Sequence, residues 1–166
     1  MTSVQQMTSV QMTAEVVDGS QFETIRYPGD EILLRVTGGG NVQVIEYHST
    51  DRDGPPAHYH PWHEIEFVIE GEVEFYQQGV WTRGGPGTVQ MLPAGVAHSV
   101  RVPQGKAKLL YVTIGAPYDG MARDLAALYA SGQVDLAGVV AIANRHGVRL
   151  EGDAGAGSYS SQEHQP

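Results

Sequence analysis

The chain has 166 residues, 41% of them apolar, which suits one domain with a hydrophobic core. It contains no cysteine, and this excludes disulfides, thiolate metal sites and a cysteine nucleophile. Ten Lys and Arg against 19 Asp and Glu leave a net charge of −9, which argues against nucleic acid and anionic membranes as partners.

Residues 1–13 are polar and nearly repeat themselves, with MTSVQ at 1–5 and again at 7–11. They read as a disordered leader, and translation could begin at Met1, Met7 or Met12. The leader lacks the basic and apolar regions of a secretory signal, and no run reaches the ~18 apolar residues of a membrane span, so a cytoplasmic location is expected. Residues 14–116 read as short strands punctuated by Gly and Pro: 31–37, 41–49, 64–70, 72–77, 88–92, 97–102 and 108–114. That spacing indicates an all-β sandwich or barrel.

After Pro117 the period changes. Met121, Leu125, Leu128 and Tyr129 form one helical stripe, with Gly132 as a stop. Asp135 is placed to cap a second helix carrying Leu136, Val139, Val140 and Ala143 and ending at His146-Gly147. Residues 117–150 are therefore a helical extension, packed outside the barrel or over one of its mouths. Residues 151–166 read as a flexible tail.

The chemistry concentrates in GPPAHYHPWHEIEFVIEG, residues 54–71. Alternate residues of a strand share a face, so His58 and His60 project together and can chelate one ion. Glu64 follows past Pro61, and His98, after a Pro-Ala-Gly turn, is the candidate from a neighbouring strand. Three imidazoles and a carboxylate suit Zn, Fe, Mn, Ni or Co, with positions left open. If Glu64 points inward, Glu66, Val68 and Glu70 share its face. A buried Glu66 would be a candidate general base; the alternative is a solvated Glu66 at the rim. The opposite register would substitute His63 for Glu64 and give a site of His58, His60, His63 and His98. His48, His146 and His164 are read as structural.

These residues resemble the two cupin motifs, G-x5-H-x-H-x3,4-E-x6-G and G-x5-P-x-G-x2-H-x3-N. His58, His60, Glu64 and Gly71 fit the first, and Gly87, Pro93, Gly95 and His98 fit the second. Arg52 stands in place of the first glycine and Val102 in place of the last asparagine. The resemblance implies a cupin double-stranded β-helix, or jelly-roll barrel, over residues 14–116. It implies one divalent transition metal held by His58, His60, Glu64 and His98. The stretch DLAALYASGQVDLAGVVAIANRHGVRLEG resembles the extension of quercetin 2,3-dioxygenase-like cupins from actinobacteria, and HYHP resembles cupins of aromatic polyketide pathways.

Two enzymatic readings follow from the resemblance. The first is a dioxygenase that brings a small polyphenol and O2 to the metal, with Glu64 as ligand and proton acceptor. Its cavity would be lined by residues such as Val68, Met91, Val100 and Tyr111. The second is a non-redox cyclase of an aromatic polyketide, with Glu66 or His63 moving protons. A cupin that only binds a small molecule ranks last. Cupins often pair their sheets, so a homodimer is expected.

Overall fold

The structure is a computed structural model that describes residues 16, 18, 20, 22–36, 41–115 and 118–151. The predicted leader, and the predicted tail beyond Glu151 with His164, lie outside the described residues.

Among the described residues eleven strands and two helices follow in order: β1 (Glu23–Tyr27), β2 (Asp30–Val36), β3 (Val42–Ser49), β4 (His58–Tyr59), β5 (His63–Gly71), β6 (Val73–Gln77), β7 (Val80–Gly84), β8 (Val89–Leu92), β9 (His98–Arg101), β10 (Ala107–Ile114), α1 (Asp119–Ala130), α2 (Leu136–Arg145) and β11 (Arg149–Leu150). The strands form two antiparallel sheets, β1-β2-β3-β10-β5-β8 and β11-β4-β9-β6-β7. This is the expected jelly roll with two C-terminal helices. β1, β7 and β11 were not read from the sequence. β7 is exposed over four of its five residues, and β11 has only two, so neither offers an alternating apolar signal.

The core lies between the sheets. On β10, Ala107, Leu109, Tyr111 and Thr113 are buried, while Lys108, Leu110 and Val112 are only half-buried. Ile32, Ile45 and Val68 extend this layer on the same sheet, and Val73 and Phe75 meet it from the facing one. The β5–β10 ladder pairs Lys108 with Glu70 and Leu109 with Val68, which leaves Ile69 as an extra residue. This bulge carries Glu70 off the face of Glu64, Glu66 and Val68, contrary to the strict alternation expected. Glu70 is exposed instead and lies 3.5 Å from Lys108 Nζ. The motif glycine Gly71 ends β5 with a φ of 84°, and a Cβ there would come 2.4 Å from the Lys106 carbonyl oxygen. No side chain fits that approach.

The helices do not stand apart from the barrel. Asp135 caps α2 by accepting from the Gly138 N–H at 2.7 Å. Arg123 on α1 holds Glu23 on β1 at 2.6 Å. Met121, Ile142 and Val148 pack on Trp62, which is 2% exposed. Burying an indole of this size contributes about 4–6 kcal/mol before entropy is counted. β11 then pairs with β4, setting Leu150 opposite His58. Of the two placements expected for the helices, covering a mouth is the one found: Met121, Leu125, Tyr129 and Val139 line the interior cavity. No helix among the described residues is long and apolar enough to cross a membrane.

Candidate metal centre

His58 on β4 and His98 on β9 face each other directly across the ladder. His60 follows two residues after His58, and one nitrogen from each of the three rings lies within 4.8 Å of the others. Each Nδ1 sits 2.9 Å from a main-chain oxygen: His58 from Pro56, His60 from Trp62 and His98 from Val96. A carbonyl only accepts, so each Nδ1 carries the proton and each Nε2 presents a lone pair. The buried His60 Nε2 has no hydrogen-bond partner. An orphaned nitrogen beside two others, each oriented through its far side, fits a divalent transition metal.

Burial keeps these rings neutral, the form a metal binds. It lowers His60 to about 3, with the neighbouring histidines adding to the effect. It lowers His98 to about 4, helped by His58, and it lowers His58 as well.

Glu64 Oε2 lies 3.5 Å from His60 Nε2 and accepts from the Trp62 indole N–H at 3.2 Å. Glu66 sits beside it and is 1% exposed, so it is not solvated at the rim. Burial pushes Glu66 well above the usual carboxylate range, with the charge of Glu64 adding to the rise. Burial also raises Glu64, opposed by contacts with Glu66 and Trp62. Two carboxyl groups so close and so buried share a proton.

His63 takes no part in the cluster. Its side chain is exposed, and its Nδ1 accepts from the Ala94 N–H at 3.2 Å. The structure thus brings His58, His60 and His98 together with Glu64 adjoining, and it does not assemble the four-histidine arrangement. His48 and His146 sit against Glu46 and Asp124, at 2.7 and 2.8 Å. Arg52 and Val102, where the motifs are departed from, have structural places. Arg52 donates to the Pro103 carbonyl at 2.9 Å, and Val102 is buried in the core.

Trp62 was overlooked in the sequence. Its ring stacks on His60 with centroids 4.1 Å apart and planes 7° from parallel. The signal was available, since His60, Trp62 and Glu64 follow one another at a spacing of two.

A cavity of about 190 Å³ opens from the cluster into the barrel. Val100 and Tyr111 line it as expected, together with Tyr27, Tyr47, Tyr118 and Tyr129. Met91 does not: it is 69% exposed on the outer face, because Gln90 and Leu92 are the inward residues of β8. Val68 is buried in the core but is not among the cavity's lining residues.

Residues 45–114 match the cupin domain family. Solved structures share its architecture. An RmlC-like cupin from Shewanella frigidimarina aligns at 20% identity over 66% of this chain and 97% of that one, with a TM-score of 0.57. KdgF from Halomonas sp. aligns at 15% identity over 64% and 98%, with a TM-score of 0.58. The polyketide cyclase RemF from Streptomyces resistomycificus aligns at 21% identity over 61% and 80%, with a TM-score of 0.51. At such identities the likeness is one of fold. A sequence search against curated proteins gives no match.

Proposed function

We propose that this cupin is a metal-dependent enzyme acting on a small aromatic substrate, and that it is a dioxygenase of a polyphenol. One observation carries the reading: three imidazole nitrogens converge at the end of a tyrosine-lined cavity, with a buried carboxylate 3.5 Å from one of them. His58, His60, His98 and Glu64 would hold one divalent transition metal. Such a metal, when bound, supplies Lewis-acid polarisation of a substrate oxygen and, if redox-active, a route to O2.

The chain's own part is positioning and proton handling. The tyrosines and apolar wall exclude water and present flat faces to an aromatic ring. Glu64 accepts the proton of a phenolic hydroxyl, and Glu66 stays its neutral partner, so that the pair goes from one proton to two and returns one in the later step.

A second reading, a non-redox cyclase of an aromatic polyketide, is favoured by the same acidic pair. Proton transfer between two carboxyls needs no oxidant, and RemF shares the fold. Metal content by element, paired with oxygen uptake on phenolic substrates, separates the readings. Mn, Fe, Co or Ni with uptake supports the dioxygenase; Zn with no uptake after exchange to a redox metal supports the cyclase. No metal at all would remove both.

The expected homodimer is proposed on the outer face of the six-stranded sheet. Phe67, Ile69, Val89, Met91 and Ile114 are exposed there, beside the free edge of β8. β8 has no charged residue, on a chain of net charge −9, so an uncharged surface like itself is the matching partner.

A further inference from the structure

The cavity has a second polar end. Asp30 opens β2 opposite Ser49 on β3, and its Oδ1 is buried with no hydrogen-bond partner. Asp30, Tyr47 and Ser49 all line the cavity that the histidines line. The other groups at this end are engaged. Asp51 Oδ1 accepts the N–H groups of Asp53 and Gly54, both at 3.1 Å, and the Tyr27 and Tyr118 hydroxyls bond each other at 3.1 Å. Strand rise puts His98 roughly 13 Å from Val102, whose N–H donates to the Asp51 carbonyl at this end. Side chains reach inward from both ends, and 190 Å³ accommodates one or two rings rather than a larger polycycle. Tyr47 and Tyr111 stack at 5.0 Å and Tyr27 and Tyr129 at 5.9 Å, leaving ring faces along the path.

We propose that Asp30 is a substrate-binding residue. With the Tyr47 and Ser49 hydroxyls it holds a hydroxyl at the far end of a mono- or bicyclic aromatic whose near end meets the histidine cluster. The proposal rests on reading the cavity as the substrate pocket and adds the substrate's shape: one or two rings with oxygens at opposite ends. The Tyr47 and Ser49 hydroxyls bond this carboxyl, but its Oδ1 is buried without a donor, which costs free energy that a ligand hydroxyl removes. Burial raises Asp30 to about 6, against the pull of Tyr47 and Ser49, so near neutrality it is largely a charged acceptor and the stronger partner for a phenol.

The test is calorimetric titration of the metal-loaded protein with 2-naphthol and 2,6-dihydroxynaphthalene, which differ only in the distal hydroxyl. The wild type should bind the diol about tenfold more tightly, as expected for one charge-assisted hydrogen bond. Asp30→Ala should erase that preference and leave 2-naphthol within about twofold. Asp30→Asn, which keeps an acceptor and the side-chain shape, should retain part of it and covers the case in which the alanine variant does not fold. A preference that survives Asp30→Ala, no preference in the wild type, or no binding of either probe overturns the proposal. The same titration on His58→Ala/His60→Ala separates it from the metal reading: both probes should weaken together while the diol stays preferred. Stoichiometric metal with no diol preference would leave the metal centre standing and remove Asp30 from it.

Discussion

The imidazole of His60 lies flat on the indole of Trp62, and the same indole donates its N–H to Glu64. One side chain thus orients two candidate ligands, and it also packs in one cluster with Met121 and Ile142 from the two helices. Replacing it with phenylalanine keeps most of the packing but removes the donor. Trp62→Phe should lower metal affinity by about 10- to 100-fold. Competition with a chromogenic chelator measures this, and unchanged affinity would show that Trp62 serves packing alone.

His58→Ala/His60→Ala should abolish metal binding and activity while the barrel stays folded. The core strands do not depend on the cluster, and the buried His60 Nε2 has no hydrogen-bond partner to lose. Elemental analysis and circular dichroism of the purified variant check both halves. Loss of folding would indicate a structural ion instead.

Asp30 predicts a pH dependence of stability. Its folded value of about 6 exceeds the unfolded value of 3.8, so the folded state binds the proton more tightly. Stability from this group is fully present below pH ~4 and falls as pH rises through about 6. Near pH 7, Asp30→Asn should therefore be more stable than the wild type, by at most about 3 kcal/mol, with the gap closing towards pH 4. Urea denaturation of the two proteins across this range reads the difference, and a gap that widens on acidification would contradict the assignment.

Gly54 turns the chain towards β4 with a φ of 69°, and a Cβ there would lie 2.0 Å from the Val100 carbonyl oxygen. That oxygen belongs to backbone and cannot move aside cheaply. Gly54→Ala should cost about 2–4 kcal/mol and displace His58. Thermal melting and metal content should therefore fall together.

Phe67 and Met91 present apolar surface to solvent on the proposed pairing face. Phe67→Glu combined with Met91→Glu should convert a dimer to a monomer in analytical ultracentrifugation, with little change in the monomer's fold. A wild type that sediments as a monomer at all concentrations would remove the dimer.

Much of the architecture was legible because it depends on local chemistry. Gly and Pro punctuated the strands, Asp135 and Gly147 bounded α2, and two motifs at fixed spacing marked the histidines. The pairing of Glu64 with Glu66 on one buried face followed from alternation. Alternation failed only past Val68, where the bulge at Ile69 redirects Glu70; such a bulge is set by the partner strand, β10.

What the sequence by itself determined was a barrel or sandwich of short strands, its two helices and the clustering of histidines, since each follows from spacing along one strand or helix, while the jelly roll was implied by the resemblance of its two motifs to cupins. Tertiary structure decided which side chains meet across strands. It placed Asp30, remote in sequence from the histidines, in the same cavity, and it sent Met91 outward. It also brought β11 back alongside β4, so that the helical extension covers the mouth of the barrel. Those relationships depend on register, bulges and packing between distant segments, and no local pattern encodes them.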